Sequence, residues 1–203
     1  MELVNIAGHT IDKSLLSDGV IIDVGCRGFG FSDAEEFNKK TVYCIDPDNS
    51  VFDMITGVPQ PVNKEWNFKF LNVAISDKSG ESSYYENGEA TCLKEIDPDQ
   101  SHPFKPCKTI TMEDLYKITG ENVDVLKLDC EGAEYIILGE TFKPIPKQIT
   151  CEFHYHCVPD LHMKHFDSIM ERLSKDYTIH NAVWEPRHGC GNNYWDILFI
   201  RKW

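Results

Sequence analysis

An α/β fold with its ligand site at the carboxyl ends of a mostly parallel sheet is predicted for this chain, on three observations. Short unalternating apolar runs, VIID at 20–23, TVYCID at 41–46 and VDVLKLD at 123–129, read as strands buried on both faces. Segments of helical pattern separate such runs, and two strand-like segments close the chain. The runs end in acids and glycines, most plainly in IIDVGCRGFG at 21–30, the composition of a strand exit that meets a ligand.

The elements follow in order. After VIID, the segment FSDAEEFNKK predicts a short helix, with Ser32 as N-cap and Glu35 completing a capping box. TVYCID stops before Pro47, and FKFLNVAIS at 68–76 reads as one strand before the turn DKSG. SSYYENGEATCLKE is a small antiparallel excursion around 82–95, turning at Asn87-Gly88. DPDQSHPFKPC, with three prolines, reads as loop. TITMEDLYKI predicts a helix N-capped by Thr111, with Asp114 in its first turn. VDVLKLDCEG is then a strand and AEYIILGE a helix. ITCEFHYH at 149–156 is the next strand. PDLHMKHFDSIMERLSKD is the clearest helix: Leu161, His165, Ile169 and Leu173 recur every fourth residue, and Phe166 and Met170 widen their face. YTIHNAVW and NNYWDILFI finish as antiparallel neighbours. At 203 residues, without a linker or repeat, the expectation is one domain over 1–203.

Composition narrows the partners. With 33 acids against 20 bases the formal charge is -13, which disfavours a nucleic-acid backbone because counterion release needs a cationic footprint. Eight cysteines include no C-x-x-C pair, and several sit in apolar runs, so they read as reduced core residues of an intracellular protein. No apolar stretch reaches the ~18 residues of a membrane span. The start MELVNIAGHTIDKSLL lacks the pattern of a secretory signal, and a cytoplasmic location is expected.

The first glycine loop selects among nucleotides. No GxxxxGK stretch exists, and Gly25-x-x-Gly28-x-Gly30 is not the dinucleotide spacing G-x-G-x-x-G. Asp23 at the strand exit would repel a pyrophosphate and attract an ammonium or sulfonium centre. Asp46, ending the next strand, suits a bidentate acceptor for ribose hydroxyls. S-adenosylmethionine combines these groups and has no phosphate. Turn or cap duty is the plain alternative for either acid alone.

IIDVG, CIDP, NVAISDKSG, KTITMEDL, DVLKLDCEGAEYIILGE and ITCEFH, in this order, resemble the FkbM family of S-adenosylmethionine-dependent methyltransferases over roughly residues 18–200. The resemblance implies a class I methyltransferase-like, Rossmann-like fold: a seven-stranded, mostly parallel sheet with a reversed last strand and helices on both faces. It implies O-methylation of a hydroxyl on a sugar or small metabolite. By the same resemblance Asp23 and Gly25 are the cofactor-loop acid and glycine, and Asp46 is the ribose acid. Asn72, Val73 and Ala74 lie beside the adenine, with Ser76 or Asp77 near its amine. Asp129 and Glu131 adjoin the methionine end and the acceptor entrance, and Glu152 ends the fifth strand. Arg27 and Phe29 depart from the family's usual loop, which displaces glycines to Gly28 and Gly30; Arg27 either pairs with the cofactor carboxylate or with a nearby acid.

Methyl transfer to a neutral hydroxyl benefits from a proton acceptor. Glu152, His154 and His156 share one strand face, with Asp129 ending the neighbouring strand. Asp129, Glu152 and His154 are therefore the catalytic candidates, with His154 or Glu152 as base. A divalent metal between those three is a second reading, although no resident metal is expected, and a core histidine is the plain one. Lys127 would ion-pair with Asp129, and Glu134 would favour the first turn of its helix. The aromatic excursion Tyr84–Glu86 and the loop Ser101–Phe104 are candidate acceptor-groove walls, and Arg187 and His188 lie in a candidate pocket loop. A homodimer is compatible with the final strand edge. The competing class is a module that binds the cofactor but is catalytically silent or depends on a partner; a nicotinamide oxidoreductase is opposed by Asp23.

Overall fold

A seven-stranded sheet organises the structure, a computed structural model that describes residues 1–56, 67–87, 90–96, 99, 101–141, 143, 145–155, 159–186 and 193–203. Its strands are β3 (Val20–Val24), β4 (Thr41–Ile45), β5 (Asn67–Leu71), β10 (Val123–Leu128), β11 (Gln148–His154), β12 (Tyr177–Pro186) and β13 (Asn193–Arg201). The spatial order is β12-β13-β11-β10-β3-β4-β5. β5, β4, β3, β10 and β11 run parallel, and β13 enters antiparallel to both of its neighbours. The predicted mostly parallel sheet with a reversed last strand is present.

Alternation on the central strands builds two cores. Ile22, Val24, Leu126, Leu128, Ile149, Cys151 and Phe153 face a core shared with helices α2 (Met112–Thr119), α3 (Ala133–Gly139) and α4 (Pro159–Asp176). Ile21, Val42, Cys44 and Val125 face the other side, under Phe31, Phe37 and Val51, the last from α1 (Asn49–Thr56). Thr111 caps α2 as predicted, its hydroxyl accepting from Asp114 N at 3.1 Å.

Four expectations are corrected. The segment after β3 holds only a 3-10 turn, Glu35–Phe37, without a side-chain cap; Ser32 instead donates to Asp23 Oδ2 at 2.5 Å, an internal acceptor that outcompetes a helix start. FKFLNVAIS breaks at Asn72, so that β6 (Ala74–Ile75) leaves β5 for another sheet. The loop DPDQSHPFKPC ends in a strand, β9 (Lys105–Ile110), because Pro106 begins an edge where its missing N–H is tolerated. The excursion is therefore a four-stranded sheet, β6-β9-β7-β8, with β7 at Gly80–Asn87 and β8 at Ala90–Leu93.

The N-terminal segment, given no structure from sequence, is a hairpin of β1 (Leu3–Ile6) and β2 (His9–Asp12). It turns through Ala7 and Gly8 at φ +49° and +95°. Ile6 and Ile11 bury it in the second core. Gln148 of β11 fastens it, accepting from Asp12 N at 2.8 Å and donating to Asp12 O at 3.1 Å. His156, Arg187, His188, Cys157 and Cys190 lie outside the described residues, and the six described cysteines are free thiols.

Candidate active site

The carboxyl ends of β4, β3, β10 and β11 carry the predicted acids side by side. Asp46 follows β4, is buried, and accepts from Asp48 N at 2.8 Å. Burial pushes its carboxyl up to about 6. Asn72 braces the same turn, donating to the Asp46 and Pro47 carbonyls at 3.1 and 2.9 Å. Val73 packs against the first core and Ala74 opens β6.

Asp23 and Lys127 are register partners on β3 and β10, pointing to the same face. Lys127 Nζ lies 3.0 Å from Asp23 and 3.3 Å from Asp129, and donates to Gly25 O at 2.6 Å. Burial opposes charge on this ammonium, but Asp129 and then Asp23 outweigh it and hold it protonated. Asp23 is thus engaged inside the fold as well as standing at the strand exit. Gly25 has φ +76°, and a Cβ there would overlap the Asp129 carbonyl oxygen, so only glycine lets the loop cross β10.

The loop beyond Gly25 is tied outward to the excursion. Arg27 reaches Glu86 at 2.9 Å and Asp48 at 3.4 Å, and donates to Thr91 Oγ1 at 3.2 Å. Pairing with an acid, one of its two expected roles, is present, with the buried Asp48 and half-buried Glu86 in place of a surface acid. Gly28 and Phe29 carry φ +81° and +61°, which gives the displaced glycine its reason and seats Phe29 between Phe68 and Phe70. Of the aromatic groove candidates, Tyr85 stacks on His102 with centroids 3.7 Å apart.

The densest cluster lies past β10 and β11. His154 Nε2 stands 3.5 Å from Asp129 Oδ1, 3.6 Å from Glu131 Oε1 and 3.4 Å from Glu152 Oε1. Its Nδ1 lies 3.1 Å from Glu134 Oε1, and the same oxygen accepts the His154 backbone N–H at 2.7 Å. Glu134, fully buried, also accepts from Gly132 N, so it ties the helix start to the end of β11 rather than serving its own first turn alone. Burial disfavours the imidazolium, yet Glu134, then Glu152 and Glu131, outweigh burial and raise His154 well above the ordinary histidine range. Burial likewise opposes ionisation of Asp129, but Lys127, His9 and His154 hold it well below the ordinary carboxylate range. Glu131 is held at φ +51°, a strained conformation for a non-glycine residue, of the kind that gathers at functional sites.

Two members were missed from sequence. His9 of the hairpin lies 3.4 Å from Asp129 Oδ2, and its other nitrogen 3.6 Å from Asp196 Oδ1. Asp196 opposes Glu152 across β11 and β13. An acid within the apolar run YWDILFI was a readable signal; for His9 only the glycine turn before it hinted at a hairpin. A cavity of about 620 Å³ lined by Ser76, Asp77, Thr111, Tyr116, Ile136 and Glu140, among others, shares no residue with this cluster.

A sheet in this order, with an acid after each of its two central parallel strands and a glycine crossing between them, defines the Rossmann-like class I methyltransferase type. The family model described as "Methyltransferase FkbM domain" matches residues 25–178, and the chain belongs to that family of S-adenosylmethionine-dependent methyltransferases. The matched span is narrower than the resemblance read from sequence, and leaves His9, Asp23 and Asp196 outside it. Comparison with curated proteins and with solved structures returns no match.

Proposed function

We propose that this methyltransferase O-methylates a hydroxyl on a sugar or small metabolite, with Asp129, Glu152 and His154 at the acceptor. The observation that carries the reading is the convergence of His154 with three carboxylates at the ends of adjacent strands. The residues fit the family's cofactor: Asp46 is a buried carboxylate, suited to two ribose hydroxyls, and the Gly25 turn leaves no side chain over the strand exit. Asn72, Val73 and Ala74 form the adenine side, Asp23, Gly25 and Gly28 the loop, and Asp129 and Glu131 the methionine side; Arg27 serves by holding the loop to the excursion. Bound S-adenosylmethionine supplies an electrophilic methyl on a positively charged sulfur. Glu131 and Asp129 orient the acceptor, and the Glu152 carboxylate receives its proton, since the surrounding acids already hold His154 protonated.

The alternative, a binding module without turnover, has the Arg27 loop on its side, since that guanidinium is committed to Asp48 and Glu86. A cytoplasmic location agrees with the free thiols, and a homodimer through an open sheet edge is tested by sedimentation. No helix among the described residues is long and apolar enough to cross a membrane.

Calorimetric titration with S-adenosylmethionine, and NADH as comparison, tests the cofactor assignment. Asp46→Ala should weaken the former by ~1.5 to 3 kcal/mol, the worth of a charged hydrogen bond. Equal affinity in a folded variant rejects the ribose role. A hydroxyl-acceptor screen with His154→Ala then separates turnover from binding alone.

A further inference from the structure

We propose that His9, His154, Asp129 and Glu152 hold one divalent first-row metal ion at the acceptor end of the site. The proposal rests on the methyltransferase reading for its purpose, not for its geometry. Asp129 presents one oxygen to each imidazole, Oδ1 to His154 at 3.5 Å and Oδ2 to His9 at 3.4 Å. Glu152 closes the figure, 3.4 Å from His154 Nε2 and within 4.8 Å of His9 and Asp129. A tetrahedron of metal bonds ~2.1 Å long has edges of ~3.4 Å; the contacts of Asp129 with each imidazole and of Glu152 with His154 have that length, and an ion would draw the remaining donors inward.

The outer nitrogens reinforce the assignment. His154 Nδ1 meets the buried Glu134 carboxylate, and His9 Nδ1 faces Asp196 Oδ1 at 3.6 Å. His154 thus shows the carboxylate–histidine arrangement that fixes the tautomer of a metal ligand and aims the inner nitrogen, and Asp196 stands on the same side of His9 at a distance longer than a hydrogen bond. Two metal-compatible triads, His9–Asp129–Glu152 and Asp129–Glu131–His154, share Asp129.

Charge points the same way. Asp129, Glu131, Glu134, Glu152 and Asp196 crowd two imidazoles, and Lys127, the lysine beside Asp129, is shared with Asp23. Two nitrogens and two carboxylates favour manganese, iron, cobalt or zinc over magnesium or calcium, which prefer oxygen alone. The Asp129 side chain is 30% exposed, which leaves an entry path and an open coordination position for an acceptor hydroxyl. An ion there would acidify that hydroxyl, and with Glu152 bound to the ion the proton would pass to the flanking Glu131 instead.

The test uses the full chain, stripped with chelator and titrated with Mn²⁺ by calorimetry and electron paramagnetic resonance. One saturable equivalent is expected, weakened roughly ten- to a hundredfold by His9→Gln and by His154→Gln. Co²⁺ added to the unmodified chain should give the visible bands of a mixed nitrogen–oxygen site, a readout independent of how the variants fold. Absence of saturable binding and of those bands, or binding that both variants retain, overturns the proposal. S-adenosylmethionine titrated into the stripped protein separates the two readings: cofactor binding without metal binding rejects the ion alone, and metal binding without cofactor binding rejects the methyltransferase site alone.

Discussion

Asp46 places a cost on the empty protein that the cofactor should relieve. Its carboxyl is pushed from 3.8 to about 6 by burial, with Asp48 N and Arg27 only partly opposing. Since the folded pKa is the higher, the native chain binds the extra proton between pH 4 and 6, and stability falls as pH rises through that window. The gap, at ~1.4 kcal/mol per pH unit, puts the penalty of the ionised form at about 3 kcal/mol above pH 6, vanishing below pH 4. Asp46→Asn keeps an oxygen for Asp48 N and loses the charge. Urea denaturation should find it more stable than the parent by ~1 to 3 kcal/mol at pH 7.5, with the gap shrinking to about a third of that at pH 4.5. Calorimetry should find the opposite for S-adenosylmethionine: weaker binding in the variant at neutral pH. In the parent, affinity should drop toward tenfold per pH unit below pH 6 as the acceptor protonates. Equal stability of the two proteins at pH 7.5, or parental affinity flat from pH 7.5 to 5, would refute the assignment of a strained, ribose-accepting carboxylate.

Lys127→Met should destabilise the fold by ~3 to 5 kcal/mol in chemical denaturation, because Asp23, 1% exposed, loses the ammonium 3.0 Å away; a change below ~1 kcal/mol would show that the buried pair contributes nothing net. Gly25→Ala combines a left-handed backbone with overlap on the Asp129 carbonyl. It should cost at least ~3 kcal/mol and displace the cluster beyond β10; a fully stable variant would mean that the loop runs clear of β10.

The sheet was legible because parallel strands buried on both faces leave continuous apolar runs, and VIID, TVYCI and VDVLKL keep theirs in the structure. The acids near the ends of those runs were legible because a carboxylate breaks an otherwise apolar run, and Asp23 and Asp46 are buried there. Local signals misled where a distant partner intervened. Ser32 has the spacing of a helix cap, yet Asp23 offers its hydroxyl a buried charge, and the helix shrinks to a single turn. Pro106 reads as a loop residue, yet pairing with the antiparallel β7 draws it into β9, ahead of the stretch where β6 pairs on the other side. Glu134 has the place of a first-turn acid, and only the approach of β11 shows that it also anchors His154.

His9 follows a different logic. Nothing within its own segment marks it, because its neighbours are ordinary hairpin residues. What delivers it to Asp129 is the exchange of hydrogen bonds between the Asp12 backbone and Gln148 on β11, 136 positions away in the chain. The edge-on packing of its ring against Phe31 fixes the approach. Asp196 arrives in the same manner, by register with Glu152. Both residues fall outside the span that defines the family, 25–178, while the acids they meet, Asp129 and Glu152, fall inside it. Asp23 of the cofactor loop lies outside that span as well, and to the acids within it the terminal strands add an imidazole and a carboxylate. Chemistry particular to this chain should accordingly be sought in β1, β2 and β13: exchanging those segments ought to alter metal retention and acceptor choice while leaving affinity for S-adenosylmethionine in place.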